Sequence, residues 1–188
     1  LERGWAPVAA LQLEYSLVER NIEREHVPLA IELGMGVLPW SPLAMGFLSG
    51  KYKKTEKGVE GEGRVTHSAD GRPNMASRYA TDRNFALVET LVSVAKEVGR
   101  SPAQVALAWA TRRPGVTSTI IGASKLDQLD DNLHALDFEL PAPLAAKLEE
   151  AGRPPLHFPY SFFDPARMAF WTGGVNVAAE PSWYRPRS

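Results

Sequence analysis

The chain reads as an α/β protein built on a parallel sheet. Three observations carry that reading. Short apolar runs alternate with longer amphipathic stretches along the sequence. The first of these runs is apolar at nearly every position, as a strand covered on both faces is. And the long stretches open and close on the residues that start and stop helices, Ser or Pro at one end and Gly at the other.

Taken in order, residues 1–5 read as the end of a helix, and residues 8–13 as the first strand. Residues 23–33 read as a short helix. Pro28 is tolerated only in a first turn, so the main helix starts near Val27, and Gly34 ends it. Residues 36–39 are the next strand. Residues 40–79 are long, polar and irregular; the stretch 51–64 is rich in Lys, Glu and Gly, and residues 51–73 offer little to bury, which predicts a mobile loop over 51–73. Residues 82–98 form a strong helix. Phe85, Val88, Val92 and Ala95 share a stripe that Leu91 and Val94 widen. Ser101 and Gln104 form a capping box, with Pro102 at the first helical position, and Pro114-Gly115 stop that helix after Arg112. Residues 116–121 are the last strand. Ser124 stands as N-cap of a helix over 125–134, where Leu126, Leu129 and Leu133 recur at helical spacing. A final helix covers 143–150. Residues 154–188 hold Pro, Gly and aromatics with little periodicity, so the chain divides into a body, 1–153, and a C-terminal tail, 154–188.

Composition excludes several classes. The 188 residues are 44% hydrophobic and 23% charged, ordinary values for a globular chain. A net charge of −1 gives no electrostatic argument for nucleic acid or an anionic membrane. No apolar run approaches the length of a membrane span, and no signal-peptide core precedes the first strand. With no cysteine there is no disulfide and no thiolate chemistry, which is compatible with a cytoplasmic protein. His26, His67, His134 and His157 lack metal-ligand spacing, and His134 reads as structural, at a helix end where a cation meets the dipole.

The most informative stretch is Gly122-Ala123-Ser124-Lys125 and the helix after it. A strand that delivers a small-residue turn onto a helix N-terminus makes an anion site, because free N–H groups and the positive dipole end point the same way. Lys125 adds a full charge. The alternative is an ordinary capped helix after a strand. Gln12 is an amide in an apolar strand, and on its own terms a core amide satisfied by backbone. Trp40 ends a strand, and on its own terms packs there. Lys51, on its own terms, is a solvated charge in a basic loop.

Together these segments resemble the aldo-keto reductases. The matching residues are Gln12-x-Glu14-Tyr15-Ser16-Leu17-x-x-Arg20, then Trp40-Ser41-Pro42-Leu43 with Gly46, Leu48 and Gly50-Lys51-Tyr52. Ser101-Pro102-Ala103-Gln104-x-Ala106-Leu107-Ala108-Trp109 and Gly122-Ala123-Ser124 with Gln128 and Asn132 follow in the same order. The chain is similar to the bacterial and potassium-channel β-subunit-like branches, not to the branch with Arg at the position of Gln128.

The resemblance implies a partial TIM (β/α)8 barrel, strands six to eight with their helices. A complete barrel takes about 250 residues. It implies NADP as cofactor and a small carbonyl compound as substrate. Gln12 then holds the nicotinamide carboxamide, amide to amide. Trp40 is the platform for the nicotinamide ring, and Ser41, Pro42, Leu43, Ala44 and Met45 fold over the pyrophosphate. Lys51 contacts a cofactor phosphate. Gly122, Ser124 and Lys125 take the 2′-phosphate end, and Gln128, Asp131 and Asn132 face the adenine. Asp131 stands where Glu is commoner, which shortens the reach. The family's catalytic Asp, Tyr, Lys and His lie on earlier strands, so no catalytic residue is assigned here and the chain alone is expected to be inactive. Tyr15, Tyr52 and Tyr79 are not that tyrosine. A non-catalytic nucleotide-binding module and an inactive truncated product are the alternatives. Three strands without partners leave open edges, which predicts self-association.

Overall fold

The computed structural model describes residues 4–56, 58–66 and 75–174. They fall into two compact units, Leu1–Arg153 and Pro154–Ser188. The first is mixed α/β, and no closed barrel forms among the described residues.

Two strands anchor the first unit. β1, Ala10–Glu14, and β2, Gly36–Trp40, run parallel with Gln12 opposite Leu38 and Glu14 opposite Trp40. Between them, a 3-10 turn over Asn21–Glu23 leads into helix α1, His26–Leu33, with Pro28 in its first turn and Gly34 closing it. That is the crossover a parallel pair requires.

The strand expected over residues 116–121 is corrected. It runs beside β2 as an extended segment with a single ladder bridge, Val37 to Val116. Pro39 supplies the reason. Val37 takes both bonds of that bridge, its N–H to Gly115 O at 3.3 Å and its carbonyl from Thr117 N–H at 2.9 Å. The next donor on the same side of β2 would be Pro39, which has no N–H. Pro39 accepts instead, from Ile120 N–H at 2.8 Å, one residue later than a regular ladder places it. The extra residue is bulge-like. Gly36 permits the approach, since a Cβ there would lie 3.0 Å from Thr117 Oγ1.

Side chains alternate across this sheet. Tyr15 and Val37 are buried, and Leu11 and Leu13 pack on the same core. The core continues through α1, helix α2 (Asp82–Glu97), helix α3 (Pro102–Thr111) and helix α5 (Ala142–Ala151), represented by Ala30, Leu91, Val105 and Leu148. On the opposite face Ala10 and Gln12 are exposed and Leu38 and Trp40 half-buried. Helices therefore cover one face of the sheet and leave the other accessible.

The helix end signals of α1 and α3 operate as the sequence implies. Thr81 caps α2 by accepting from Asn84 N–H, and Ser101 and Gln104 make both bonds of the capping box on α3. Helix α4, Leu126–Leu133, starts one residue later than expected, and Lys125 rather than Ser124 is its N-cap. No side chain caps it, because the Ser124 hydroxyl turns to Gln128 Oε1, 3.2 Å away.

Residues 40–79 are not structureless. Two 3-10 segments, Ala44–Ser49 and Met75–Tyr79, flank an antiparallel hairpin of β3, Lys53–Thr55, and β4, Gly58–Glu60. Residues 67–74 of the expected loop lie outside the described residues. So does the start of the helix end expected over 1–5, and Gly4 and Trp5 belong to no helix. In the second unit, a 3-10 turn over Tyr160–Phe163 and helix α6, Pro165–Trp171, replace the unpatterned tail. Aromatic contacts hold that unit, with Phe162 5.6 Å from Phe158 and 5.8 Å from Trp171.

Candidate dinucleotide site

Gln12 and Trp40 share the uncovered face of the sheet, two register positions apart. Gln12 is exposed, so its reading as a satisfied core amide is corrected. Its amide is bonded to nothing among the described residues. Trp40 is half-buried at the C-terminal edge of β2.

The chain turns sharply after Trp40. Ser41, Ala44 and Met45 all have positive φ, 55°, 49° and 57°. Such values are uncommon outside glycine, cost of order 1–3 kcal/mol each, and persist only where their surroundings impose them. Ser41 organises the turn, its carbonyl accepting from Ala44 N–H at 2.8 Å and its hydroxyl oxygen from Met45 N–H at 3.2 Å. Leu43 accepts from Gly46 and Leu48 N–H, at 2.9 and 3.2 Å. The N–H groups of Ser41 and Leu43 have no partner among the described residues. Pro42 and Ala44 are buried, which fixes the turn from below.

Lys51 folds back toward this turn. A Cβ on Gly46 would lie 4.0 Å from its ammonium, and one on Gly63, which has φ of 142°, would collide with it at 2.6 Å. The Lys51 ammonium also sits 5.2 Å from the Tyr52 ring centroid. So the lysine is gathered between the turn and the hairpin while its side chain stays exposed.

The second group of residues follows the extended segment beside β2. Gly122, Ser124, Lys125, Gln128 and Asp131 are exposed and Asn132 half-buried. Ser124 contributes its N–H and its hydroxyl to Gln128 Oε1, both at 3.2 Å, so Gln128 reaches back over the start of α4. Asp131 points the other way. Its Oδ1 accepts from Gln104 Nε2 at 2.9 Å and its Oδ2 from Ser101 Oγ at 3.2 Å, docking α4 on the capping box of α3. One small apolar cluster joins the two groups. Leu43, from the turn, and Ile121, just before Gly122, both pack against buried Leu107, Ala108 and Ala135.

Two other polar clusters escaped sequence reasoning. Glu14 accepts from Arg78 and Tyr79 beside Trp40. Tyr15 donates to Glu23 Oε1 at 2.6 Å, and Arg20 forks onto both Glu23 oxygens at 2.9 Å. Burial, then the Glu23 carboxylate, push the Tyr15 phenol far above its ordinary range, so it stays a proton donor to Glu23. Among the described residues no group of His, Asp and Glu gathers as a metal site requires, and no helix is long and apolar enough to cross a membrane.

Comparison with known proteins gives these residues a context. The model of the aldo/keto reductase family matches residues 1–153. A probable voltage-gated potassium channel subunit beta of Oryza sativa subsp. japonica is 39% identical over 127 residues, covering 67% of this chain and 38% of that protein. A probable aldo-keto reductase 1 of Glycine max is 37% identical over 134 residues, 71% of this chain and 37% of its own length. The oxidoreductase YrpG of Bacillus subtilis is 35% identical over 139 residues, 74% and 39%. The chain thus spans well under half the length of these curated relatives.

Proposed function

The chain belongs to the aldo/keto reductase family, an oxidoreductase family, and we propose that it carries the dinucleotide-binding part of an NADP-dependent reductase of aldehydes and ketones. One observation carries the reading. An unengaged amide, an aromatic plane and a strained turn with free N–H groups stand in sequence along one accessible sheet face. A nicotinamide dinucleotide presents a carboxamide, a flat ring and a pyrophosphate in that same order.

When bound, the cofactor supplies the hydride. The residues of this chain hold and orient it. Gln12 pairs with the carboxamide, which fixes which face of the ring is presented. Trp40 offers its plane to that ring. The Ser41 and Leu43 N–H groups and the Lys51 ammonium meet the phosphates, and the strained backbone is set before the ligand arrives. Ser124 and Lys125 take the 2′-phosphate, and Gln128 and Asn132 the adenine. Asp131, turned toward α3, docks the helix that carries these two residues. General-acid chemistry is assigned to no residue here, and the phenol of Tyr15 is committed to Glu23.

The relative named as a potassium channel subunit beta favours a second reading, in which nucleotide binding serves regulation rather than turnover. Both readings use the same residues, and carbonyl reduction by the polypeptide separates them.

The binding test is Lys125→Ala. A charge-assisted contact is worth roughly 1.5–3 kcal/mol, so NADPH affinity should fall about tenfold to a hundredfold while NADH is little changed. Gln12→Ala should weaken both cofactors alike. An unchanged NADPH to NADH ratio in Lys125→Ala would remove Lys125 from the site.

A further inference from the structure

The segment that leaves the sheet at Trp40 comes back to it at Arg78 and Tyr79, and both bind one residue. Glu14 ends β1, opposite Trp40 in register. Arg78 Nη2 lies 2.6 Å from each of its carboxylate oxygens, and Tyr79 donates its hydroxyl to Oε1. Arg78 Nη2 also reaches the Tyr79 hydroxyl at 2.7 Å, and the guanidinium lies 4.8 Å from the Tyr79 ring centroid. Glu14 is 14% exposed and Arg78 45% exposed, so the carboxylate is sheltered while the guanidinium covers it from the solvent side.

Tyr79 carries the connection inward. Its ring is buried and stands 6.5 Å from that of Phe47, which lies 5.2 Å from Phe85 and 6.3 Å from Tyr52. Phe47 follows Met45 by two residues, directly behind the strained turn. A turn with three non-glycine residues at positive φ keeps that shape only where neighbours fix it from several sides. Ser41 fixes it internally, and the aromatic cluster fixes its exit.

We propose that Glu14 is a positioning residue. By holding Arg78 and Tyr79 at the end of β1 it clamps the 3-10 turn Met75–Tyr79 that closes the 41–79 segment, and through Tyr79 and Phe47 it keeps the Ser41–Met45 turn in the shape that receives the dinucleotide phosphates. Only the last clause rests on the cofactor reading. The clamp itself is a property of the ligand-free chain.

Hydrogen exchange on the full chain without ligand tests the clamp. Glu14→Ala should speed exchange in peptides covering 41–52 by ~tenfold or more, with α3 unchanged. Glu14→Gln keeps an acceptor for the Tyr79 hydroxyl and should restore most of the protection. Unchanged exchange over 41–52, or equal acceleration in α3, would overturn the proposal. If Glu14→Ala does not fold, Tyr79→Phe decides, since it keeps the ring against Phe47 and removes only the hydroxyl. Titrations with NADPH and with adenosine 2′-monophosphate test the consequence. In Glu14→Ala, NADPH affinity should fall about tenfold while the mononucleotide, which lacks the pyrophosphate and nicotinamide, binds as before. Equal loss of both would reduce Glu14 to a general stability residue. If the unaltered chain bound neither, the cofactor reading would fail and the exchange data alone would decide the clamp.

Discussion

Glu23 shows how much one carboxylate can organise. It accepts from Tyr15 and from both forks of Arg20, and Arg113 approaches it at 3.8 Å. Arg20 is 7% exposed and also donates to Glu149 O at 2.9 Å. Both guanidiniums lie over Trp109, at 5.2 and 5.0 Å from its ring. Removing one partner of such a network strands the others, and stranded buried charges are more costly than the network is favourable. Glu23→Ala is therefore expected to cost about 3–5 kcal/mol, read as a lower urea midpoint. A loss below ~1 kcal/mol would mean that water reaches the arginines freely.

His134 is a gentler case, with a sign that pH can read. It ends α4, and its Nδ1–H donates to Asp130 O at 2.7 Å. That backbone bond first, then the Asp130 charge, raise it above the ordinary imidazole value of 6.5. A raised folded value means that the fold favours the protonated ring. Its contribution is complete below the unfolded value near 6.5 and is lost as pH rises through the raised folded value. The end of α4 should accordingly exchange faster in mildly alkaline buffer than at mildly acid pH, after correction for intrinsic rates. His134→Gln should abolish the difference. A pH dependence identical in the two proteins would show that His134 does not set it.

At the scale of elements, the ends of helices decide more than their middles. Ser101 and Gln104 satisfy each other's backbone across the first turn of α3, and the same pair holds Asp131 of α4. Ser101→Ala should cost ~1 kcal/mol for the cap and loosen α4 besides. A midpoint unmoved from the parent would refute that role. This capping box was legible in the sequence because it needs only local spacing, and so were Pro28, Gly34 and the apolar stripe of α2, except Val92, which is 41% exposed. The third strand was not. Its residues look like a strand, but pairing depends on what β2 presents, and β2 presents Pro39 where a donor is needed. The hairpin over residues 53–60 was equally hidden, since its residues are polar and glycine-rich and its closure depends on packing around Tyr52. Within the candidate site, the residue types and their order were readable. The engagement of Asp131 with α3 and the clamp at Glu14 were not, because each joins residues 27 or more positions apart.

For the first unit as a whole, the consequence of its architecture is an unfinished sheet. Parallel pairing turns the peptide groups of Leu11 and Leu13 toward β2, so those of Ala10, Gln12 and Glu14 point away from it. β2 is the only strand that pairs with β1 among the described residues. Apolar surface is exposed elsewhere in the unit too, with Leu126 82%, Leu136 58% and Leu133 49% accessible around α4. An unpaired strand edge beside uncovered apolar area is a template for another chain. The chain is expected to self-associate through the β1 edge, seen in sedimentation velocity as a weight-average mass that climbs with concentration. Ala10→Lys places a charge on that edge, where Ala10 is already exposed, and should move the distribution toward monomer without unfolding the chain. The same substitution on α4, Leu133→Lys, should have a smaller effect if the edge dominates. A parent chain that sediments as monomer at every concentration would refute self-association. A parent that associates but responds only to Leu133→Lys would move the contact from the strand edge to the helix face.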